Sequence, residues 1–135
     1  MNRAWIIGGL ALVVAVALGW MNFGPGSRNA TTANAVVTVP ELTGTAAEGA
    51  GLFAQYCLAC HGENAGGSDA GPPLIHKIYE PNHHADQAFL VGALYGVRQH
   101  HWQFGNMPAV EGITEDEVIK IVSYVRAVQR ANGIR

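Results

Sequence analysis

The sequence predicts an all-α domain of a few helices, preceded by one apolar segment long enough to cross a membrane. Apolar residues recur at helical spacing in three stretches after residue 45, and no stretch there alternates as a half-buried strand does. A Cys-x-x-Cys-His motif at residues 57–61 follows the first of these stretches. With 135 residues, the chain has room for one such domain.

The N-terminal segment is apolar throughout residues 4–21, where the only polar groups are two indole rings. As a helix it would be roughly 27 Å long, which matches the hydrocarbon core of a bilayer. Trp5 and Trp20 lie at its two ends, as in an interfacial aromatic belt. We therefore predict a retained transmembrane anchor over residues 1–21. The alternative is a secretory signal, whose apolar region is usually shorter.

A linker is predicted between the anchor and the domain. Residues 22–45 are rich in Gly, Thr, Ala and Asn, contain two prolines, and lack the periodicity of a packed element. The predicted domain then covers residues 46–135.

The first helix of this domain is predicted over residues 46–56, where good helix formers place Leu52, Phe53 and Tyr56 on one face. Its end would present Cys57 and the residues that follow. A second helix is predicted over residues 86–97 from one apolar stripe. The stripe consists of Phe89, Leu90, Ala93, Leu94 and Val97.

The last helix has the clearest start and stop signals. Thr114 and Glu117 form a capping box, Ile113 before it can contact Val118, and Gly133 supplies the stop. Its predicted buried stripe consists of Val118, Ile121, Val122, Val125 and Val128, with Tyr124 beside it. Arg126 and Arg130 are expected to complement the negative end of the helix dipole.

The Cys-x-x-Cys-His motif is typical of covalent haem c attachment. Two thiols at this spacing can bond to the porphyrin edge, and the adjacent His61 can bind the iron. The rival interpretations are a thioredoxin-like redox pair, half of a zinc site, and a simple disulfide. No strand precedes Cys57 and no second Cys-x-x-Cys follows, so we predict one haem c held by Cys57, Cys60 and His61.

The second iron ligand is predicted to be Met107. It lies in a Gly/Asn/Pro loop between two helices, where an apolar filler is unexpected, and Pro108 favours an extended conformation at Met107. The other histidines include two pairs, His83 with His84 and His100 with His101. For these pairs we consider exposed polar residues or haem propionate partners, a pH-linked change of ligand, an additional metal site, and a partner contact.

These motifs occur in the order found in the class I cytochrome c family, which the chain resembles from residue 46 to residue 133. The matching residues are Gly49 with Phe53, the 57–61 motif, residues 71–74 (Gly-Pro-Pro-Leu), Met107 with Pro108, and Ile121 with Tyr124. The resemblance implies a cytochrome c-like fold and Met107 as the distal ligand. It also implies that Gly49 lets the first helix cross closely against the last, and that the carbonyl of Pro72 accepts the Nδ1 hydrogen of His61.

With both axial positions occupied, the expected function is one-electron transfer rather than catalysis. We expect a membrane-tethered carrier between a donor complex and a terminal oxidase or reductase. The alternatives are a fixed haem subunit of a larger membrane oxidoreductase and a haem-based sensor or peroxidase-like enzyme. No catalytic constellation or phosphate-binding loop indicates a small-molecule substrate.

The charge of the chain indicates its kind of partner, and the position of Arg3 indicates its orientation in the membrane. The net charge of −2 without a basic stripe argues against nucleic-acid binding. From Glu41 onward the chain contains ten acidic residues and six Lys or Arg residues. This acidic excess suits a redox protein partner with a basic patch. Arg3 beside the amino terminus favours a cytoplasmic N-terminus. We therefore expect a single-pass protein of the bacterial inner membrane with its haem domain in the periplasm.

Overall fold

A computed structural model of the chain describes residues 36–135. It contains four α-helices, which we name α1 (Gly44–Tyr56), α2 (Leu58–His61), α3 (Asp86–Tyr95) and α4 (Glu115–Ala131). Two 3-10 turns, Glu63–Ala65 and Lys77–Tyr79, lie between α2 and α3. Residues 36–135 form no strand, and their sole β-type pairing is an antiparallel bridge between Val97 and Met107. The predicted all-α class is thus confirmed for this part.

The predicted anchor, residues 1–21, lies outside the described residues, as does most of the predicted linker. Within residues 36–135, none of the helices combines the length and the hydropathy that crossing a membrane requires.

The linker boundary needs a correction, because residues 36–43 contact the domain and α1 begins at Gly44. The backbone N–H of Thr38 donates to Asn132 Oδ1 at 3.0 Å, and Asn132 Nδ2 donates to the carbonyl of Thr38 at 2.8 Å. Val37 and Leu42 pack against the core. The lack of helical or strand periodicity in this stretch concealed the attachment, which depends on Asn132, 94 positions along the chain.

The crossing of α1 and α4 is the main packing contact of the domain. At Gly49 the two backbones are so close that an added Cβ would overlap the carbonyl of Lys120. Phe53, one turn further along α1, packs against Tyr124 with ring centroids 5.3 Å apart. Gly49 therefore lets the helices cross as the family resemblance implies.

The last helix starts and stops as predicted. Thr114 and Glu117 form both halves of the capping box, and Ile113 and Val118 are both buried. At the other end Ile134 N–H donates to the carbonyl of Gln129, which closes a Schellman motif. The buried side of α4 supplies most of the core, namely Val118, Ile121, Val122, Tyr124, Val125 and Val128.

The predicted second helix is two residues too long. It ends at Tyr95, because Gly96 adopts φ +81° and breaks the helical hydrogen-bond pattern. The backbone of Gly96 then lies against the carbonyl of Met107, where a Cβ would be 2.7 Å from that oxygen. The early stop therefore brings the chain into pairing distance of the Met107 loop.

Arg126 has a different role from the one predicted, because it is buried with 7% of its surface exposed. Its Nε donates to Asp86 Oδ1 at 2.7 Å, its Nη1 to the carbonyl of Tyr79 at 2.7 Å, and its Nη2 to the carbonyl of His84. The guanidinium therefore joins α4 to the start of α3 and to the loop that precedes it.

Candidate haem site

The attachment segment sits at a break between two helices. α1 ends at Tyr56, Cys57 has non-helical φ and ψ, and the single turn of α2 carries Cys60 and His61. Both thiols are free, and no disulfide joins them. Burial, with a smaller contribution from charge on Cys60, raises the pKa of the Cys57 thiol to about 11. The thiols therefore remain as separate groups that can each form a bond to a porphyrin side chain.

His61 is held in one orientation by the loop that follows it. Its ring is 8% exposed, and Nδ1 lies 2.9 Å from the carbonyl oxygen of Pro72. This oxygen can only accept, so Nδ1 carries the hydrogen and Nε2 keeps its lone pair for a metal. Burial lowers the pKa of His61, although the bond to Pro72 partly opposes the shift. The lowered pKa favours the neutral ring, which is the form that binds iron.

The loop after His61 folds back onto it through backbone hydrogen bonds. Gly67 N–H donates to the carbonyl of His61 at 2.7 Å, and Leu74 N–H donates to the carbonyl of Ala65 at 2.8 Å. Ser68 Oγ also donates to the carbonyl of Cys60. These bonds place Pro72 beside the imidazole, so the acceptor for Nδ1 is built by the chain immediately after the motif.

Met107 is positioned by pairing with the strand-like segment after α3. Met107 and Val97 exchange two backbone hydrogen bonds of 2.9 Å each. Further along, Gln99 N–H donates to Asn106 Oδ1 at 2.9 Å, and Gly105 N–H donates to Gln99 Oε1 at 2.6 Å. The loop that carries Met107 is therefore fixed by its own backbone and amide groups.

One cavity of about 470 Å³ brings these groups together. Its wall includes Cys57, His61, Pro72 and Met107, which come from three separate segments of the chain. The volume is within the usual range for cofactor sites. Most of the remaining wall is apolar, with Leu74, Phe89, Val97, Phe104, Ile121 and Val122 as examples. An apolar macrocycle attached beside Cys57 therefore suits both the volume and the chemistry of the site.

Cys60 is exposed and lies outside this wall, although it is part of the predicted attachment set. It lies on the single turn of α2, which begins directly after Cys57 and also carries His61. Its participation in attachment stays a prediction, as do the iron-ligand roles of His61 and Met107.

The two histidine pairs come together at the edge of the cavity. His84, His100 and His101 belong to the cavity wall, whereas His83 lies outside it. Nearby, Trp102 Nε1 donates to the hydroxyl of Tyr79 at 3.1 Å. Partial removal from water lowers the pKa of His101, and positive charge on His100, His84 and His83 lowers it further.

Two polar side chains, Arg126 and Gln129, hold the loop before α3 in place and were not predicted from the sequence. Gln129, 1% exposed, donates from Nε2 to the carbonyl of Leu74 at 2.9 Å and accepts from Arg126 Nη1 at 2.6 Å. Arg126 and Gln129 are three residues apart and therefore share a helix face with Val122 and Val125. In the sequence, the sign that these two polar residues are buried was their position within the apolar stripe of α4.

Comparisons with known proteins identify the family of the chain. The family model described as Cytochrome c matches residues 46–129. The chain is also 37% identical over 86 residues to the cbb3-type cytochrome c oxidase subunit FixP of Bradyrhizobium sp. (strain ORS 278). That match covers 62% of this chain and 27% of the relative, so the chain spans about a quarter of the curated protein it matches. No solved structure matches the chain.

Proposed function

This chain belongs to the cytochrome c family, and we propose that it transfers single electrons between respiratory redox proteins while tethered to a membrane. Family membership means that it carries covalently bound haem c. We assign the attachment to its Cys-x-x-Cys-His motif. The haem iron supplies one-electron exchange between its ferric and ferrous states. The observation that carries the proposal is that Cys57, His61 and Met107 all line one cavity.

The roles of the side chains follow from this arrangement. We assign thioether attachment to Cys57 and Cys60, and proximal ligation to Nε2 of His61, which Pro72 orients. Met107 is assigned as the distal ligand, which would raise the reduction potential relative to a second imidazole. With His61 and Met107 both bound to the iron, no coordination position would be open to oxygen or a substrate, so we assign no catalytic residue.

Exclusion of ligands is tested by carbon monoxide. We expect the reduced haem-loaded protein to bind carbon monoxide slowly or negligibly, since Met107 must leave first, and Met107→Ala to bind it rapidly. The matched control is Val110→Ala, another half-buried residue of the same loop region. Rapid binding by the unmodified protein would instead support a sensor or peroxidase-like function.

A second candidate function is that of a fixed haem subunit in a terminal oxidase. The similarity to a cbb3-type oxidase subunit favours it, although the match covers 27% of that protein. The two candidates differ in whether the protein leaves its partner. Purification in mild detergent should give the free cytochrome for a diffusing carrier and a stoichiometric oxidase complex for a fixed subunit.

The tether is proposed from residues 1–21, with the haem domain in the periplasm. Membrane fractionation and mass spectrometry of the intact mature protein test this directly. We expect the haem protein in the membrane fraction with its N-terminal segment retained. A mature chain that begins near residue 36 and is released in the periplasmic fraction would show that the segment is a cleaved signal.

A further inference from the structure

Four imidazole rings from two distant segments form one cluster at the domain surface. His83 and His84 precede α3. His100 and His101 come shortly after Val97, the residue that pairs with Met107. The ring centroids of His83 and His101 are 5.3 Å apart, those of His84 and His101 5.2 Å, and those of His100 and His101 4.2 Å. The roles proposed for Cys57, Cys60, His61 and Met107 at the haem leave these four side chains unassigned.

The spacing of the ring nitrogens fits a metal ion. One nitrogen from each of His83, His84 and His101 can be chosen so that all three lie within 4.8 Å of one another. The Nε2 atoms of His83 and His101 are 3.4 Å apart. Two nitrogens at about 2.0–2.1 Å from a tetrahedral zinc ion are roughly 3.3–3.4 Å from each other. This pair therefore already has the separation of two zinc ligands.

The third ring is oriented in the way that metal-binding histidines usually are. His84 Nδ1 lies 2.7 Å from the carbonyl oxygen of Ile78, which accepts its hydrogen. The tautomer is thereby fixed, and Nε2 of His84 keeps its lone pair for a cation. His83 and His101 are exposed and can rotate by the small amount needed to close the site.

The charges around the four histidines also favour a metal ion as the occupant. Among residues 36–135 the ion pairs are Lys120 with Glu48 and Arg126 with Asp86, so no carboxylate pairs with these four imidazoles. Protonated rings at these separations would repel one another. Neutral imidazoles in close contact are the preferred ligands of zinc and copper.

We propose that His83, His84 and His101 form a three-histidine site for a divalent transition metal ion, zinc or copper. A protein ligand set of three leaves a fourth position for water or an external ligand. Because His84 and His101 also line the haem cavity, the bound ion lies beside the haem and its charge adds to the electrostatic field there. The site is independent of which protein donates or accepts electrons.

Zinc titration of the haem-loaded, tag-free protein tests the proposal. After treatment with a chelator, calorimetry with zinc chloride should show one saturable site per chain. His83→Ala and His101→Ala should each weaken zinc binding at least about tenfold, since loss of mere supporting groups already costs 10–100-fold. His83 lies outside the haem cavity, so His83→Ala should leave the haem spectrum unchanged.

The matched control is His76→Asn, which removes a histidine outside the cluster. His76 Nδ1 accepts from Ile78 N–H at 3.2 Å, and an asparagine Oδ1 can accept the same hydrogen bond. This variant should bind zinc as tightly as the unmodified protein. Copper bound to the unmodified protein should also show electron-paramagnetic-resonance coupling to several nitrogens, reduced in His83→Ala. The proposal is overturned if no one-to-one site appears, or if zinc binds His83→Ala and His101→Ala with unchanged affinity.

Discussion

At the level of single residues, Gly49 is the position where side-chain size matters most for the helix crossing. A Cβ there would overlap the carbonyl of Lys120, a backbone atom that cannot rotate away. The crossing also carries the contact between Phe53 and Tyr124, and α1 ends at the attachment motif. Any separation of the two helices therefore moves Cys57 relative to the core.

Gly49→Ala should lower the free energy of unfolding by about 1–3 kcal/mol, as overpacking of a close contact does. The control is Gly51→Ala on the same helix, where an added Cβ meets nothing within 4 Å. That change should raise stability by roughly 0.5–1 kcal/mol, since alanine favours the helix. Chemical denaturation of the haem-loaded proteins measures both. Equal effects from the two substitutions would contradict the close crossing.

The single residues of the site differ in how far the sequence determines them. The Cys57–Cys60 spacing and the adjacent His61 are enough to predict haem attachment, because this chemistry depends on residues that are neighbours in sequence. The bond from His61 to Pro72 spans eleven positions and was expected only from the family resemblance. The pairing of Met107 with Val97 was not predicted, since a two-residue bridge has no periodicity to reveal it.

At the level of elements, α4 is tied to the loop before α3 by Arg126. The Asp86 side chain is 70% exposed, so that ion pair contributes little by itself. The carbonyls of Tyr79 and His84 would instead lose a charged donor if the guanidinium were removed. The energetic weight of Arg126 therefore lies in its backbone contacts rather than in its salt bridge.

Arg126→Met should reduce stability by about 2–5 kcal/mol, because the part-buried carbonyls of Tyr79 and His84 lose a charged donor and the buried Gln129 Oε1 loses its donor as well. Asp86→Asn should cost less than about 1 kcal/mol. The matched control is Arg130→Met, an exposed residue of the same helix, which should change stability by less than about 0.5 kcal/mol. Thermal denaturation monitored by circular dichroism ranks the three. An Asp86→Asn loss as large as that of Arg126→Met would show that the ion pair dominates.

The capping box gives α4 a pH-dependent start. The backbone N–H of Thr114, and then its hydroxyl, hold the pKa of Glu117 below its ordinary value of 4.5. The folded state thus prefers the ionised carboxylate, so this contribution to stability is present above pH 4.5 and is lost as the pH falls through the lowered pKa.

Glu117→Gln should therefore destabilise the protein at neutral pH, and its difference from the unmodified protein should shrink as the pH falls below about 4.5. Glu115→Gln is the control, since it removes an acid of the same first turn whose side chain makes no hydrogen bond within residues 36–135. Urea denaturation at several pH values compares the variants. A pH-independent loss for Glu117→Gln would contradict the capping role of its charge.

At the level of the whole domain, the cavity is the feature that bears most on stability. A space of about 470 Å³ with mostly apolar walls lies within a domain that covers residues 36–135. The core of so small a domain is marginal without a further source of buried apolar surface. The stability of the native protein should therefore depend on its haem.

The double substitution Cys57→Ala and Cys60→Ala should leave a haem-free chain without cooperative unfolding. Such a chain should bind hydrophobic dyes and show weak near-ultraviolet circular dichroism, as loosely packed states do. Ala59→Ser changes an exposed residue between the two cysteines and should keep haem content and stability. A sharp unfolding transition in the haem-free double variant would show that the protein core suffices alone.

Sequence patterns predicted the class, α4 and the haem motif because each depends on local spacing. They did not predict the Arg126–Gln129 pair or the convergence of the two histidine pairs, since both depend on which loops the fold brings together. The boundary error at residues 36–43 has the same origin, because Thr38 is held by Asn132, 94 positions away.

Redox titration of the intact protein, followed in the visible and far-red regions, tests the central claim most directly. We predict one reversible one-electron transition and, in the oxidised form, a far-red sulfur-to-iron charge-transfer band. The band should disappear in Met107→Leu and persist in His100→Gln, which alters another residue of the cavity wall. Absence of the band from the unmodified protein, or its survival in Met107→Leu, would contradict the assignment of His61 and Met107 as the two iron ligands.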